Sequence, residues 1–305
     1  MRLLLVDGHY YLYRSFFAIR GLRSSTGEPT NAIYGYAKAL RKMLSDLKPD
    51  RAAVIWDSGL PERRVALQPD YKQNREEMPA ELRPQGDWLK ANVPLFGPAS
   101  LSREGTEADD LIASYARAAA AEGAEVVVAT NDKDILQLAS DRIRIYSTNK
   151  GEAGEAGFAL LGVDEVRGKW GVEPAQIADV LALTGDASDN IPGVAGVGPK
   201  TAVALIREHG SIDRLLSDLS VIANEKLRLK IEAARRQIME NREMVRLDDD
   251  LELDRPWRDL TVEPRYPELI AALRACEFRG LVAEVEREAD LAARRSQGDL
   301  FGFTG

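Results

Sequence analysis

The residues of this 305-residue chain that could do chemistry are acids, and they recur in one kind of place. Glu107, Asp109 and Asp110 fall within four residues, in Gly105-Thr106-Glu107-Ala108-Asp109-Asp110-Leu111-Ile112. Glu107 and Asp110 are three apart and share one face of a helix that continues through Tyr115 and Ala116. Acids favour a first helical turn, where they meet the positive end of the helix dipole. That accounts for one or two of them, but not for the apolar runs elsewhere that also lead to acids. Leu3-Leu4-Leu5-Val6 ends at Asp7, and Ala52-Ala53-Val54-Ile55-Trp56 ends at Asp57. The run 126–130 leads to Asp132 and Asp134, and the run 177–183 leads to Asp186 and Asp189. Short apolar runs bounded by turn residues read as buried parallel strands. Ligands of open α/β sheets bind beyond the carboxyl ends of the strands. Nine carboxylates are thereby directed toward one crevice: Asp7, Asp57, Glu107, Asp109, Asp110, Asp132, Asp134, Asp186 and Asp189.

Nine carboxylates cannot share a crevice unaided. Two unit charges about 4 Å apart repel by roughly 4 kcal/mol at an effective dielectric near 20, and several such pairs drive protons back onto the acids. Divalent cations remove the conflict. A ligand set of oxygens without His or Cys suits Mg²⁺ or Mn²⁺ rather than zinc. Two such ions about 4 Å apart catalyse in-line displacement at phosphorus, one generating the nucleophile and one holding the leaving oxygen. The acid pattern therefore points to phosphodiester hydrolysis.

The elements that would position these acids alternate strand and helix as far as residue 161, which indicates a mainly parallel sheet flanked by helices, an α/β fold. An aromatic-rich helical stretch follows Asp7, and the apolar stripe from Ile33 to Leu47 marks a second helix, closed by Pro49. Residues 61–92 form a long charged insertion that carries Arg63, Arg64, Lys72, Arg75, Arg83 and Lys90, with Tyr71 beside Lys72. Its place just after Asp57 favours phosphate contacts. Val93-Pro94-Leu95 is expected to be a further strand. Two more strands are expected within residues 142–161, around a glycine-rich turn, and from 163 onward the chain reads mostly helical. The domains expected are thus an α/β catalytic domain at 1–162, a helical DNA-binding region at 163–290 and a flexible tail at 291–305.

The second informative motif is Ile191-Pro192-Gly193-Val194-Ala195-Gly196-Val197-Gly198-Pro199-Lys200-Thr201. Pro199 separates Gly198 from Lys200, so this is not a P-loop, and no strand precedes it as a dinucleotide fingerprint requires. It fits a tight hairpin between helices, with Pro199 at the first helical position. Gly193, Gly196 and Gly198 let backbone amides approach a phosphate at a helix N-terminus, and Lys200 and Thr201 add contacts.

Composition limits the classes. Hydrophobic residues make up 45% of the chain, enough for a sizeable core. The single Cys276 excludes a disulfide framework and fits a reducing cytoplasm. Two histidines, His9 and His209, cannot build a histidine metal site. No apolar run approaches membrane-spanning length, and no signal peptide precedes the first strand. The net charge of −8 argues superficially against nucleic acid. The nine proposed ligands contribute more than that by themselves, so the global value decides nothing.

The chain resembles the 5′ nuclease family, which comprises the 5′–3′ exonuclease domain of bacterial DNA polymerase I and the flap endonucleases. The resemblance covers residues 1–287. It rests on Leu5-Val6-Asp7-Gly8, Tyr71-Lys72-Gln73-Asn74-Arg75, Glu107-Ala108-Asp109-Asp110, Asp132-Lys133-Asp134, Leu183-Thr184-Gly185-Asp186, the glycine hairpin and Glu277-Phe278-Arg279-Gly280-Leu281. All nine acids of the family pattern are present. The resemblance implies two or three Mg²⁺ or Mn²⁺ ions, held by one group of Asp7, Asp57, Glu107 and Asp109 with Asp110 close by, and by a second of Asp132, Asp134, Asp186 and Asp189. It implies a helix–three-turn–helix over about 185–208 that grips duplex DNA, often with K⁺, and an arch that passes the 5′ single strand. Lys72 and Arg75 are expected to steady the scissile phosphate, and Arg64 and Tyr71 to contact DNA. Thr106 stands where the family commonly has an aromatic residue and Arg63 where it has an apolar one.

The expected substrate is branched or nicked duplex DNA with a 5′ single-stranded end, acted on by a cytoplasmic monomer that removes flaps or RNA primers. A ribonuclease or junction resolvase on the same scaffold, a non-catalytic DNA-binding module and the excised nuclease part of a polymerase are the alternatives. In the tail, Gln297-Gly298-Asp299-Leu300-Phe301 resembles the peptide by which bacterial replication proteins bind the sliding clamp. Such a peptide seats a Leu-Phe pair in an apolar pocket while the Gln makes polar contacts.

Overall fold

The structure, a computed structural model, describes residues 1–148 and 157–301, with side chains described to residue 294. The chain begins β1 (Arg2–Asp7), α1 (Gly8–Ala18), α2 (Asn31–Leu47), β2 (Arg51–Trp56), α3 (Glu62–Leu67), α4 (Arg83–Asn92), β3 (Ala99–Ser102), α5 (Ala108–Ala121) and β4 (Glu125–Ala129). It continues through β5 (Ile143–Ser147), β6 (Ala159–Leu161), α6 (Val163–Trp170), α7 (Ile177–Thr184), β7 (Gly185–Asp186), β8 (Ile191–Pro192) and α8 (Pro199–His209). The last helices are α9 (Ile212–Ser217), α10 (Glu225–Ala233), α11 (Arg235–Val245), α12 (Tyr266–Ala275) and α13 (Arg279–Phe301).

Six strands form one sheet in the order β3-β2-β1-β4-β5-β6. β1 and β4 run parallel, with Leu5 opposite Val128, as do β4 and β5, with Val128 opposite Ile145. β6 turns back, pairing antiparallel with β5. Leu3, Leu4, Leu5 and Val6 are all fully buried, as expected of a parallel strand covered on both faces.

Two compact units divide the chain, each assembled from three segments. The first comprises Met1–Asp7, Ile55–Glu77 and Ser102–Trp257. In it α5 packs on β1 and β4 through Ile112, Ala113 and Ala116, and α7 packs on α8 and α11 through Val180, Leu181, Leu205, Ile206 and Ile238. The second comprises Gly8–Val54, Met78–Leu101 and Arg258–Gly305. There α1 lies against α2, and α12 against α13, over a core that includes Leu12, Tyr36, Leu40, Met43, Leu269 and Leu273.

Two expected strands are not strands. The run 177–183 is helix α7, buried almost all round. A short apolar run fits a buried strand or a buried helix equally well by periodicity, and its Ala and Leu content favours the helix. Val93–Phe96 is a 3-10 turn, and the strand comes later, at Ala99–Ser102. Pro94 supplies no amide proton for a sheet ladder. The expected arch contains α3 and α4 separated by the turn-rich stretch 68–82.

Candidate metal centre

Each acid is delivered by a strand end or a helix start of the first unit. Asp7 closes β1, and its Oδ2 accepts a hydrogen bond from Thr130 Oγ1 at 2.9 Å, just past the end of the neighbouring β4. The same Thr130 oxygen accepts the Asp132 amide at 3.1 Å, and Asp132 Oδ1 accepts the Asp134 amide at 2.9 Å. One hydroxyl thereby sets the Asp132-Lys133-Asp134 turn against Asp7. Asp57 follows β2, and its Oδ1 accepts the Ala108 amide at 2.8 Å, so it binds the N-terminus of α5. Ser58 and Thr106 form a bridge that joins the Asp57 loop to the Glu107 loop.

The acids separate into two groups. Around Asp109, burial first and then the charges of Asp132, Asp7 and Asp57 drive its carboxyl well above the usual range. Around Asp134, burial first and then Asp132, with Asp186 and Asp189 adding to it, do the same. Ligand oxygens of Asp134, Asp186 and Asp189 all lie within 4.8 Å of one another. The charge of Asp132 acts on both Asp109 and Asp134. One buried oxygen in each group, Oδ1 of Asp109 and Oδ1 of Asp134, has no hydrogen-bond partner. A buried carboxylate oxygen without a donor is costly, and a hard dication is the partner that a set of converging carboxylates fits. The donor set and the two orphaned oxygens therefore suit a hard divalent cation.

Cations on the protein hold the rest. Lys72 Nζ pairs with Glu107 Oε1 and lies 3.6 Å from Asp189 Oδ2. Arg75 pairs with Asp189 at 2.6 Å while keeping half of its side chain exposed. Burial pulls the Lys72 ammonium down, but Glu107 and Asp189 outweigh it and its pKa ends above the ordinary lysine value. Lys133 donates to Asp186 at 2.6 Å, and Ser188 donates from both its amide and its hydroxyl. Burial opposes ionisation of Asp186, yet Lys133 and Ser188 outweigh it and hold its pKa below the usual value.

Glu107 and Asp110 face a different partner. Arg64, only 3% exposed, donates through Nη1 to Glu107 Oε2 and to Asp110 Oδ2 (2.6 Å). Its Nη2 donates to Asp110 Oδ1 (2.8 Å) and the Arg246 carbonyl (2.9 Å), and its Nε to the Met244 carbonyl (3.0 Å). All five donors are used, and Asp110 Oδ1 also accepts the Asp248 amide at 2.9 Å. Breaking such a buried pair costs roughly 3–5 kcal/mol. Arg64, expected to contact DNA, lies here as an internal counter-ion paired with Asp110. Tyr71, also expected to contact DNA, is turned inward. It is buried, and its hydroxyl lies 3.2 Å from both Glu107 oxygens and from Asp189 Oδ2, linking the two acid-bearing loops.

In the glycine hairpin, Val194 and Val197 are buried while Ala195, Gly196, Gly198, Pro199 and Lys200 are exposed. Gly198 caps α8, followed by Pro199 at its first turn, and Thr201 is half-buried. Gly193 has a steric task, since a Cβ there would run into the Thr184 carbonyl. Gly196 has φ +82°, and a side chain there would collide with Lys230 Nζ, which reaches over the turn. Lys230, Lys133 and Thr130 are the residues that sequence reasoning missed. Lys133 was legible as the base between two acids, but Lys230 lies some thirty positions from the turn it serves and gave no local signal. The side chains of Gln297, Leu300 and Phe301 lie outside the described residues, although the α13 backbone is helical through Phe301.

Residues 2–171 match the family described as 5′-3′ exonuclease, N-terminal resolvase-like domain, and residues 172–268 match its C-terminal SAM fold. The chain is 34% identical over 296 residues to a 5′-3′ exonuclease of Aquifex aeolicus, covering 96% of this chain and 98% of that one. It is 37% identical over 300 residues to DNA polymerase I of Rhizobium leguminosarum, covering 95% of this chain and 29% of the polymerase. The chain thus spans about a third or less of the polymerases it matches. Among solved structures, it superposes on the bacteriophage T5 D15 flap endonuclease, crystallised with DNA and metal ions, with a TM-score of 0.67 at 21% identity. That likeness covers 93% of this chain and 99% of the phage protein. The catalytic core of Rad2 in complex with DNA substrate gives a TM-score of 0.60 at 15% identity, covering 90% and 87%.

Proposed function

The chain belongs to the 5′–3′ exonuclease family, and on that premise we propose that it is a divalent-metal-dependent 5′ nuclease acting on flapped or nicked duplex DNA. The observation that carries this reading is the pair of acid groups, each with one buried, unpartnered carboxylate oxygen, at Asp109 and Asp134. Asp109 with Asp7, Asp57 and Asp132 would hold one Mg²⁺ or Mn²⁺ ion, and Asp134 with Asp186 and Asp189 a second. Glu107 borders the first group. When bound, such ions supply the activated nucleophile and the charge that stabilises the leaving oxygen in phosphodiester hydrolysis.

The remaining work falls to side chains of this chain. Lys72 and Arg75, both already paired to the acids, turn toward a scissile phosphate and stabilise its developing charge. The exposed Gly196–Lys200 turn, with Thr201 and Lys230, receives phosphates of the duplex at the N-terminus of α8. A K⁺ ion at this turn, a monomeric state and a cytoplasmic location belong to the same proposal. No helix among the described residues is long and apolar enough to cross a membrane. Gln297, Leu300 and Phe301 are proposed to bind a bacterial sliding clamp.

The test is cleavage of a 5′-flap duplex in Mg²⁺. Wild type is expected to release the flap, while Asp109→Ala loses several orders of magnitude in rate, on the order of 10³-fold or more, and keeps its DNA affinity. A four-way junction and a single-stranded RNA in the same assay separate the resolvase and ribonuclease alternatives. Binding of the flap without cleavage would leave only a DNA-binding module.

A further inference from the structure

The turn 68–75 carries Lys72 and Arg75, and the loop 186–190 carries Asp186 and Asp189. Besides the contacts of the Tyr71, Lys72 and Arg75 side chains with Asp189, the two are stitched together by amide and carbonyl groups. Asn190 Nδ2 donates to the Asp70 carbonyl at 2.9 Å and to Asp70 Oδ2 at 3.1 Å. The Asn190 carbonyl accepts from Gln68 Nε2 at 2.6 Å. Asn74 Nδ2 donates to the Ala187 carbonyl at 2.8 Å, and the Lys72 amide donates to the Asp189 carbonyl at 3.2 Å.

Packing does little to fix this turn. Between residues 68 and 77 only Tyr71 is buried, and the outer side of the stitching borders a cavity of about 640 Å³ lined by Gln68, Asp70, Asn190 and Asn241. Hydrogen bonds must therefore set the register of the turn on the loop. The backbone shows their hold. Lys72 has φ +56° and Asn190 φ +61°. Asn adopts the left-handed region readily, whereas Lys does so at a cost on the order of 1 kcal/mol, and such strain persists only where surroundings impose it.

We propose that Asn190 is a positioning residue for the nuclease reaction. It fastens the Lys72–Arg75 turn to the loop that bears Asp186 and Asp189, so that phosphate-directed cations and metal-directed acids keep one fixed separation. The inference rests on the nuclease reading above. It deepens that reading by assigning the alignment of the two sets to an amide that touches neither substrate nor ion.

Asn190→Gly tests it, because glycine keeps the left-handed backbone and removes only the side chain. Single-turnover cleavage of a 5′-flap duplex at saturating DNA and Mg²⁺ is expected to fall about 10–100-fold, the scale of a 1 Å misalignment, with unchanged DNA affinity. Asn190→Asp, which retains shape but sets a carboxylate against Asp70, should fall as far and covers the case in which the glycine variant does not fold. In a background carrying both Lys72→Ala and Arg75→Ala, Asn190→Gly should have no further effect, since the groups it aims are gone. An equal fold-loss in both backgrounds would mean a general structural role and overturn the proposal, as would wild-type rates in both Asn190 variants. A wild type that cleaves no flap removes the nuclease reading and this inference together; an active wild type with undisturbed variants removes the inference alone.

Discussion

Asp109 and Asp134 each hold a buried carboxylate oxygen that receives no hydrogen bond, and burial reinforced by neighbouring acids drives both carboxyls well above their ordinary pKa. The consequence for stability has a definite sign. A folded-state pKa raised above the unfolded value means that the metal-free protein binds extra protons at these two groups, so their contribution to stability is greatest below the ordinary carboxylate value of about 3.9 and declines as pH rises toward the raised values. Mg²⁺ displaces those protons, so its stabilising effect must grow over the same rise. Thermal melts in EDTA and in Mg²⁺ across this range should show the two curves diverging with increasing pH; parallel curves would mean that no ion binds at these acids. Arg64 and Tyr71 carry the contrasting lesson at this scale. The family resemblance implies that both contact DNA. Whether an arginine faces phosphate or carboxylate depends on what folds against it, and here Glu107 and Asp110 do.

Among the elements, the tight ribbon of β7 and β8 between α7 and α8 depends on the absence of side chains. At Gly193 a Cβ would meet the Thr184 carbonyl, part of a backbone that cannot step aside, whereas at Gly198 a Cβ meets nothing within 4 Å. Gly193→Ala should therefore destabilise by more than about 2 kcal/mol, and Gly198→Ser, at the N-cap of α8, by roughly nothing or with slight gain. Urea unfolding of the two variants checks this; equal midpoints would refute the steric account. The α5 helix was legible in advance because acids at its first turn, an alanine-rich body and buried apolar spacing all agree. The run 177–183 was misread as a strand because a short apolar segment buried on all sides lacks the periodicity that separates strand from helix.

For the whole molecule, the nine acids proposed as metal ligands carry more charge than the net −8, which is why the global value says little about affinity for DNA. The chain covers 98% of the Aquifex exonuclease and 29% of the Rhizobium polymerase, and recruitment of the proposed nuclease by a sliding clamp is open to test. The tail reading bears on it: a peptide of residues 295–305 should bind a bacterial sliding clamp in fluorescence polarisation, and Leu300→Ala with Phe301→Ala should abolish the signal. Equal binding by that double variant would dispose of the clamp contact.

Residue types and spacing by themselves determined the identities of the acids, the parallel character of the sheet and the glycine hairpin, because strand ends, helix starts and tight turns are local in sequence. Only the tertiary structure decided which acids share a site. Asp132 with both groups, Asp110 withdrawn by Arg64, Lys133 on Asp186 and Asn190 on Asp70 are pairings across tens of residues. Electrostatic energy depends on distance in space, and no local pattern encodes that distance.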